Sequence, residues 1–416
     1  MTSAVDRPSI ARVLEDDAGT FSGIVVLDLT QIYNGPYATF LLARGGATVI
    51  KVEPPGGENL RKRTRRDGVS DPFVALNANK RSIVLDLKNE AGRALLLELA
   101  RDADVIVENY APGVMDRLGL GRDALLGVNP RLVIASGSGY GSTGPYRDYP
   151  AMDLSMQAMS GVMATTGEPH GPPMKAGPAL CDFLGGIHLH AAIVGGLYRR
   201  TRTGRGCRVE VSMMASVYPT LASNLALFVP GRGMPSRSGN RHGGLAVAPY
   251  NVYPAADGHI AILAVNERHW TSMVRVLGLD AARDDPRFVD KGTRVANMDL
   301  VDRTVGEATA TRPKAELFAA LMAARVPCAP VRELDEVVAD PHLHATGMLR
   351  WIEHPRYGRL LVHDSPIVVD GVPNVPYRPS PELGEHTREV LAERLRMSAQ
   401  RIDEADARGA FGTPSG

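Results

Sequence analysis

The sequence predicts an α/β fold: a doubly wound, mostly parallel, Rossmann-like sheet domain with a smaller α+β domain. Short apolar runs bounded by turn residues alternate with helix-length amphipathic stretches through the first half of the chain, which is the pattern of βαβ units. That pattern changes between Pro249 and Pro330, where a hairpin precedes several helices. The length, 416 residues, also exceeds what one ordinary core holds. The expected division is 1–225 for the first part of the large domain, 226–330 for the small one, and 331–416 for a return to the large domain and a tail.

The apolar run 23–29 reads as a buried parallel strand. Gly35-Pro36 opens a helix over 37–44, because proline needs no N–H partner in a first turn, and Gly45-Gly46 ends it. A strand over 47–53 completes a βαβ unit. Further strands are expected over 82–87, 105–108 and 132–136, with a helix over 89–100. Ligands of such a sheet sit beyond the carboxyl ends of its strands. Here those ends run into polar or Gly-rich loops at 30–35, 109–113 and 137–145, so a groove is expected along one edge. Glu53, closing the second strand, mimics a dinucleotide site. The turn Tyr33-Asn34-Gly35-Pro36-Tyr37 lacks the glycine fingerprint, however, and Pro36 removes a phosphate-facing N–H. A nicotinamide dehydrogenase is set aside.

The central stretch is 177–198, where Asp182 heads an apolar run with no charge before Arg199. It reads as a loop followed by a buried helix with Asp182 at or near the first turn. The helix's positive end and free backbone N–H groups would hold that carboxylate ionised. Taken alone, such an aspartate is a helix N-cap. Gly185 and Gly186 admit close approach of a backbone or a ligand. The cluster Arg199 to Arg208 reads as a solvated helix end, followed by a strand over 209–213. The segment 230–244, rich in Gly, Pro and Arg, is a linker or a mobile loop. A hairpin over 250–264 and helices over 267–277, 298–309 and 314–324 build the small domain. Strands near 349–352, 360–362 and 367–369 return to the large one, and residues after 405 read as a disordered tail.

Net charge is +1, which argues against a nucleic-acid partner held by bulk electrostatics. Three cysteines without paired spacing suggest reduced thiols and a cytoplasmic location. The first 17 residues lack a secretory apolar region, and the apolar stretch 183–198 is shorter than a membrane span, so no membrane association is expected.

Motifs spread from Gly23 to about Leu395 resemble the family III coenzyme A transferases, typified by formyl-CoA and carnitinyl-CoA transferases. The residues that carry the resemblance are Gly35-Pro36, the run Leu42 to Glu53, Asn79 to Lys88, Asp104 to Gly113 with Arg117, Gln157 to Gly161, Gly167, Ala179 to Asp182, Thr203 to Gly206, and Gly384 to Thr387. The resemblance implies that Asp182 is the nucleophile, attacking an acyl-CoA thioester to give an aspartyl anhydride and then an aspartyl-CoA thioester. It implies a CoA groove using Gln31, Tyr33, Asn34, Leu85, Lys88, Asn109, Tyr110, Arg117, Met152 and Asp153. Lys88 and Arg117 suit the phosphates by charge. It also implies a substrate loop at Gly243 and Gly244, within a lid over 239–244 that would exclude water. No permanently bound cofactor and no metal are expected, since CoA enters as substrate, and two ring-like subunits are expected to interlock as a homodimer.

Acyl-CoA racemases and isomerases of similar fold carry a histidine where this chain has Met152. Methionine moves no proton, so a two-base mechanism loses a partner; intramolecular CoA transfer stays open. His188 and His190 lie on an apolar helix and read as core residues, and nothing fixes a thiolate partner for Cys181. Arg237 and Arg241 in the loop point toward a dicarboxylate such as succinate, with succinyl-CoA as a donor.

Overall fold

The computed structural model describes residues 19–64, 68–228, 237–369, 372 and 374–412. The chain forms two compact units: residues 1–156, 179–217 and 341–416, and residues 157–178 with 218–340. The expected divisions at 225/226 and 330/331 thus move to 217/218 and 340/341. The segment 157–178, read as part of the large domain, clusters with the second unit.

The first unit opens with β1 (Val25–Asp28), α1 (Asn34–Arg44), β2 (Thr48–Glu53), α2 (Asp71–Leu76), β3 (Lys80–Val84), α3 (Glu90–Arg101), β4 (Val105–Glu108), α4 (Val114–Arg117), α5 (Arg122–Val128) and β5 (Val133–Ser138). After the short helices α6 (Asp153–Met159) and α7 (Val162–Thr165), the latter in the second unit, come α8 (Leu180–Thr203) and β6 (Cys207–Ser212) of the first. The six strands pair in parallel in the order β3-β2-β1-β4-β5-β6. Strand order therefore reverses between β1 and β4, the switch point at which such sheets take ligands. The β3 strand begins two residues earlier than the sequence pattern places it. Helices cover both faces: α3 and α5 pack one apolar cluster around Leu27, Ile50 and Ile106, while α1 and α8 pack the other around Val26, Val105 and Leu189.

Two glycines set how tightly α8 lies on α1. A Cβ on Gly186 would stand 2.6 Å from the Asn34 carbonyl oxygen, and one on Gly185 would stand 2.1 Å from the Asn34 side-chain nitrogen. The close approach expected at this pair is thus helix on helix. Gly186→Ala improves helix propensity, yet should lower stability by about 3 kcal/mol through overpacking against backbone; urea denaturation measures it. By length and composition α8 could cross a membrane. It is instead packed on α1, β5 and β6, with Asp182, His190 and Arg200 buried along it.

The second unit contains α10 (Ala222–Leu225), which follows α9 (Met213–Val217) of the first unit. Beyond α10 come β7 (Tyr250–Ala255), β8 (Gly258–Leu263), α11 (Glu267–Val276), α12 (Asp280–Arg283), α13 (Lys291–Ala296), α14 (Met298–Thr309), α15 (Lys314–Ala323), β9 (Cys328–Pro330) and α16 (Leu334–Val338). Its antiparallel sheet, β7-β8-β9, carries the helices on a core of Tyr253, Ile260, Trp270, Val301 and Leu317.

The chain re-enters the first unit with α17 (Pro341–Ala345), the antiparallel pair β10 (Leu349–His354) and β11 (Gly358–His363), then α18 (Thr387–Leu395) and α19 (Ala399–Ala407). A strand over 367–369 does not form; Val369 makes one isolated bridge to Val372. The tail expected after 405 is also corrected. Ala410 is fully buried, its carbonyl accepts from the Asp86 N–H at 2.8 Å, and the Asn89 side chain donates to the Arg408 carbonyl at 3.0 Å. Residues 413–416 lie outside the described part. The returning segment is held by Arg44, which is buried at the end of α1. Its guanidinium donates to both Asp364 oxygens, at 2.6 and 3.0 Å, and to the Val375 carbonyl at 2.7 Å.

Candidate active site

A cavity of about 350 Å³ opens at the carboxyl ends of β1, β4 and β5, and the loops after all three strands line it. The expected groove edge is therefore present. The loop after β1 is fixed from several sides. Lys51 donates to the Thr30 carbonyl at 2.9 Å, and the Ile32 N–H donates to Glu58 at 3.2 Å. Gln31 and Asn109 exchange bonds: the Gln31 N–H reaches Asn109 Oδ1 at 2.9 Å, and Asn109 Nδ2 reaches the Gln31 carbonyl at 2.8 Å. These contacts hold Ile32 at φ 66°, a left-handed conformation that a β-branched residue rarely adopts. Such strain persists only where neighbours over-determine it, and it gathers at ligand sites.

Asp182 lies on the cavity wall and is buried. It is the third residue of α8, but it is not the cap: Ala179 holds that position without a side-chain bond. Asp153 does the capping work, because its Oδ1 accepts from the N–H groups of Cys181 at 2.8 Å and Asp182 at 3.3 Å. Helix-end donors expected to steady Asp182 are thereby spent on a second carboxylate. The Asp182 carboxyl is pushed up to about 7, first by burial and then by the nearby Asp153 charge, with Arg63 opposing. The expectation of a carboxylate held firmly ionised by the helix is corrected accordingly. Burial and a like charge outweigh the dipole.

Gln31, Asn34, Asn109, Tyr110 and Met152 share the cavity wall with Asp182. The Asn34 side chain donates to the Asp182 carbonyl at 3.4 Å, in space left by Gly137, where a Cβ would fall 2.5 Å from its oxygen. The Tyr110 phenol bonds to Gln31 and is raised to about 12 by burial and by Glu108. Tyr33 stands off the wall, with its ring stacked on Phe183 at 5.9 Å. The Leu85 side chain is fully buried in the sheet core, so only its backbone could meet a ligand. Lys88 and Arg117 are exposed and do not line the cavity.

Gly243 and Gly244 belong to the second unit, where a Cβ on Gly243 would stand 3.0 Å from the Asn224 side chain and the Gly244 N–H donates to His242 at 3.1 Å. The loop arginines have structural partners there. Arg241 bonds Asp302 at 2.7 Å and Asp299 at 2.6 Å, and Arg237 bonds the Glu168 and Gly171 carbonyls. They are thus not the free cations that the dicarboxylate reading wanted. Residues 230–236 of that loop lie outside the described part.

His190 packs edge-on to Phe21 at 5.7 Å, and burial lowers its pKa, as befits a core histidine. Cys181 has no exposed surface. Sequence reasoning missed Asn59, Tyr140, Arg147 and Tyr149, which also line the cavity. The Gly-rich loop after β5 marked the neighbourhood of the last three, and nothing in the sequence marked Asn59. No cluster of three or more His, Cys, Asp or Glu suited to a metal occurs among the described residues.

A buried carboxylate set in the wall of a cavity, at the switch point of a parallel sheet, is an arrangement suited to group transfer by a nucleophilic side chain. The chain belongs to CoA-transferase family III, whose model matches residues 21–387. It is a CoA-transferase, moving coenzyme A between an acyl-CoA and an acid. It is 39% identical over 373 residues to an acetyl-CoA:oxalate CoA-transferase of Acetobacter aceti, covering 88% of this chain and 94% of that one. It is 36% identical over 382 residues to a succinate–glutarate CoA-transferase of Agrobacterium fabrum, covering 89% and 95%. Among solved structures, a CAIB/BAIF family protein from Brucella suis superposes with a TM-score of 0.80 at 32% identity, covering 91% of this chain and all of that one.

Proposed function

We propose that the transfer runs through Asp182 as a covalent carrier. The observation that supports this is a buried carboxylate on the wall of the loop-lined cavity, left uncommitted because Asp153 takes the cap. The ionised Asp182 attacks the thioester carbonyl, so the C–S bond breaks and CoA leaves as thiolate from a mixed anhydride. The thiolate then attacks the aspartyl carbonyl, which releases the donor acid and leaves an aspartyl-CoA thioester. The acceptor carboxylate attacks that thioester, re-forming an anhydride and the thiolate. Attack of the thiolate on the acceptor's acyl carbon yields the new acyl-CoA and free Asp182. Every step exchanges one activated acyl bond for another, so the site has to hold water off rather than use it. Gln31, Asn34, Asn109, Tyr110 and Met152 fit the CoA side of the cavity, with Asp153 setting the charge of the nucleophile.

The acids are read as dicarboxylates, with succinyl-CoA as donor, supported by the oxalate, succinate and glutarate that the relatives' names carry. An acyl-CoA racemase is the weaker reading, since Met152 on the wall offers no second base. A homodimer is supported by Ile187 and Tyr198, apolar residues 46% and 65% exposed along α8. A cytoplasmic location is supported by three free thiols.

Incubation with an acyl-CoA donor and no acceptor should leave the protein heavier by CoA less one water, with the addition mapped to Asp182 by intact-mass and peptide spectrometry. Unmodified protein that still turns over would overturn the reading.

A further inference from the structure

A dicarboxylic acyl group brings a problem that its monocarboxylic counterpart does not. Its far carboxylate adds a third negative charge beside Asp153 and Asp182, in a cavity that burial has already made hostile to charge. A site that accepts such a group needs a cation with nothing else to do. The two loop arginines are engaged. Arg147, on the wall itself, is paired with its neighbour Asp148 at 3.1 Å.

Arg63 differs from these. It is exposed and makes no ion pair or side-chain hydrogen bond among the described residues, and it is the cation whose field opposes the upward push on Asp182. It terminates a short 3-10 helix, Asn59–Lys62, whose first residue lines the Asp182 cavity. That helix is rigidly mounted. Glu58 accepts from the Leu60 N–H at 2.9 Å, and Ser70 donates to the Leu60 carbonyl at 2.7 Å. Arg61 grips both oxygens of buried Glu53, at 2.7 and 2.8 Å, and lies 3.8 Å over the Phe73 ring. The Arg63 N–H closes the last turn on the Leu60 carbonyl at 3.1 Å. One arginine of the pair is therefore the anchor, and the other is presented free from a fixed base.

We propose that Arg63, carried by the anchored helix whose first residue forms part of the cavity wall, receives the distal carboxylate of a dicarboxylic acyl group reacting at Asp182, and so selects diacids over monoacids. A guanidinium suits the task because its planar fork meets a carboxylate with two parallel bonds and never loses its charge. The assignment rests on Asp182 being the covalent carrier, so the test reads the donor half-reaction directly.

Succinyl-CoA and butyryl-CoA have the same chain length and differ in a terminal carboxylate against a methyl. With no acceptor present, the second-order rate of Asp182-CoA formation is measured for each at pH 8.5, where Asp182 is ionised with or without Arg63. Wild type should favour succinyl-CoA. Arg63→Met should slow succinyl-CoA about ten- to a hundredfold, the range of a charged hydrogen-bonded pair, and leave butyryl-CoA within about twofold. Arg63→Lys should recover part of the loss.

Several results would overturn the proposal while leaving the carrier intact. They are equal rates for the two donors in wild type, an equal fall for both in Arg63→Met (which would place the cation on CoA phosphate), or discrimination lost in Arg147→Met instead. An adduct with neither donor would sink the carrier reading itself.

Discussion

With Asp182 as the proposed carrier, Asp182→Ala should remove CoA transfer, lowering kcat by about 10⁴-fold or more, because no other carboxylate lines the cavity among the described residues. The same variant should form no CoA adduct. A loss of activity alone could reflect misfolding, so stability supplies the control, and its expected sign is informative. The Asp182 pKa is raised from 3.8 to about 7 by burial and by Asp153. The folded protein therefore binds a proton that the unfolded chain has already lost between those values. Stability falls as pH rises through that window, and the whole penalty stands above pH 7. Asp182→Asn, which keeps the shape without the charge, should accordingly be more stable than wild type at pH 8, by on the order of 2 kcal/mol. At pH 4 the difference should vanish. Inactive and more stable is a signature that a structural aspartate would not give. Denaturation of the two proteins at both pH values measures it, and a destabilised Asn variant at pH 8 would contradict the assigned role.

The second large effect is in the pH profile. Since the proposed nucleophile is ionised Asp182, kcat/KM should fall tenfold per unit below about pH 7, reporting that group in the free enzyme. Asp153→Asn removes the neighbouring charge but keeps an oxygen to accept from the Cys181 and Asp182 N–H groups. The acid limb should then move about one unit lower, as loss of a like charge favours ionisation. Asp153→Ala should also move it, with an added loss of about 1 kcal/mol from the uncapped helix. Profiles that coincide across the three proteins would show that Asp153 does not set the charge state of its neighbour.

Much of this site could be read from the residue order, for a physical reason. Strands and helices announce themselves by period, and a parallel sheet sends its loops to one edge, so the convergence of 30–35, 109–113 and 137–145 followed from topology. The position of Asp182 near the start of α8 was legible in the same way. Its ionisation was not. A helix start followed by an apolar run predicts a stabilised carboxylate, and only the fold reveals that Asp153, 29 positions earlier, already occupies those donors. Lys88 and Arg117 show the converse limit: charge suggests a phosphate partner, but it does not say whether a side chain faces the cavity. The end of the chain misled because polar, charged composition looks alike in a loose tail and in a surface helix. One alanine with a carbonyl, Ala410 on Asp86, fastens it.

The pairing of Arg44 with Asp364 joins positions 320 apart. Arg44 closes the first helix of the sheet, and its guanidinium has no water to fall back on there. The acid that neutralises it lies beyond the whole inserted unit, so in the folded protein this buried cation depends on the returning segment for its partner. One charge contact thus ties the start of the sheet to the last stretch of the chain, so a truncation before Asp364 should cost stability at a helix some 320 positions away.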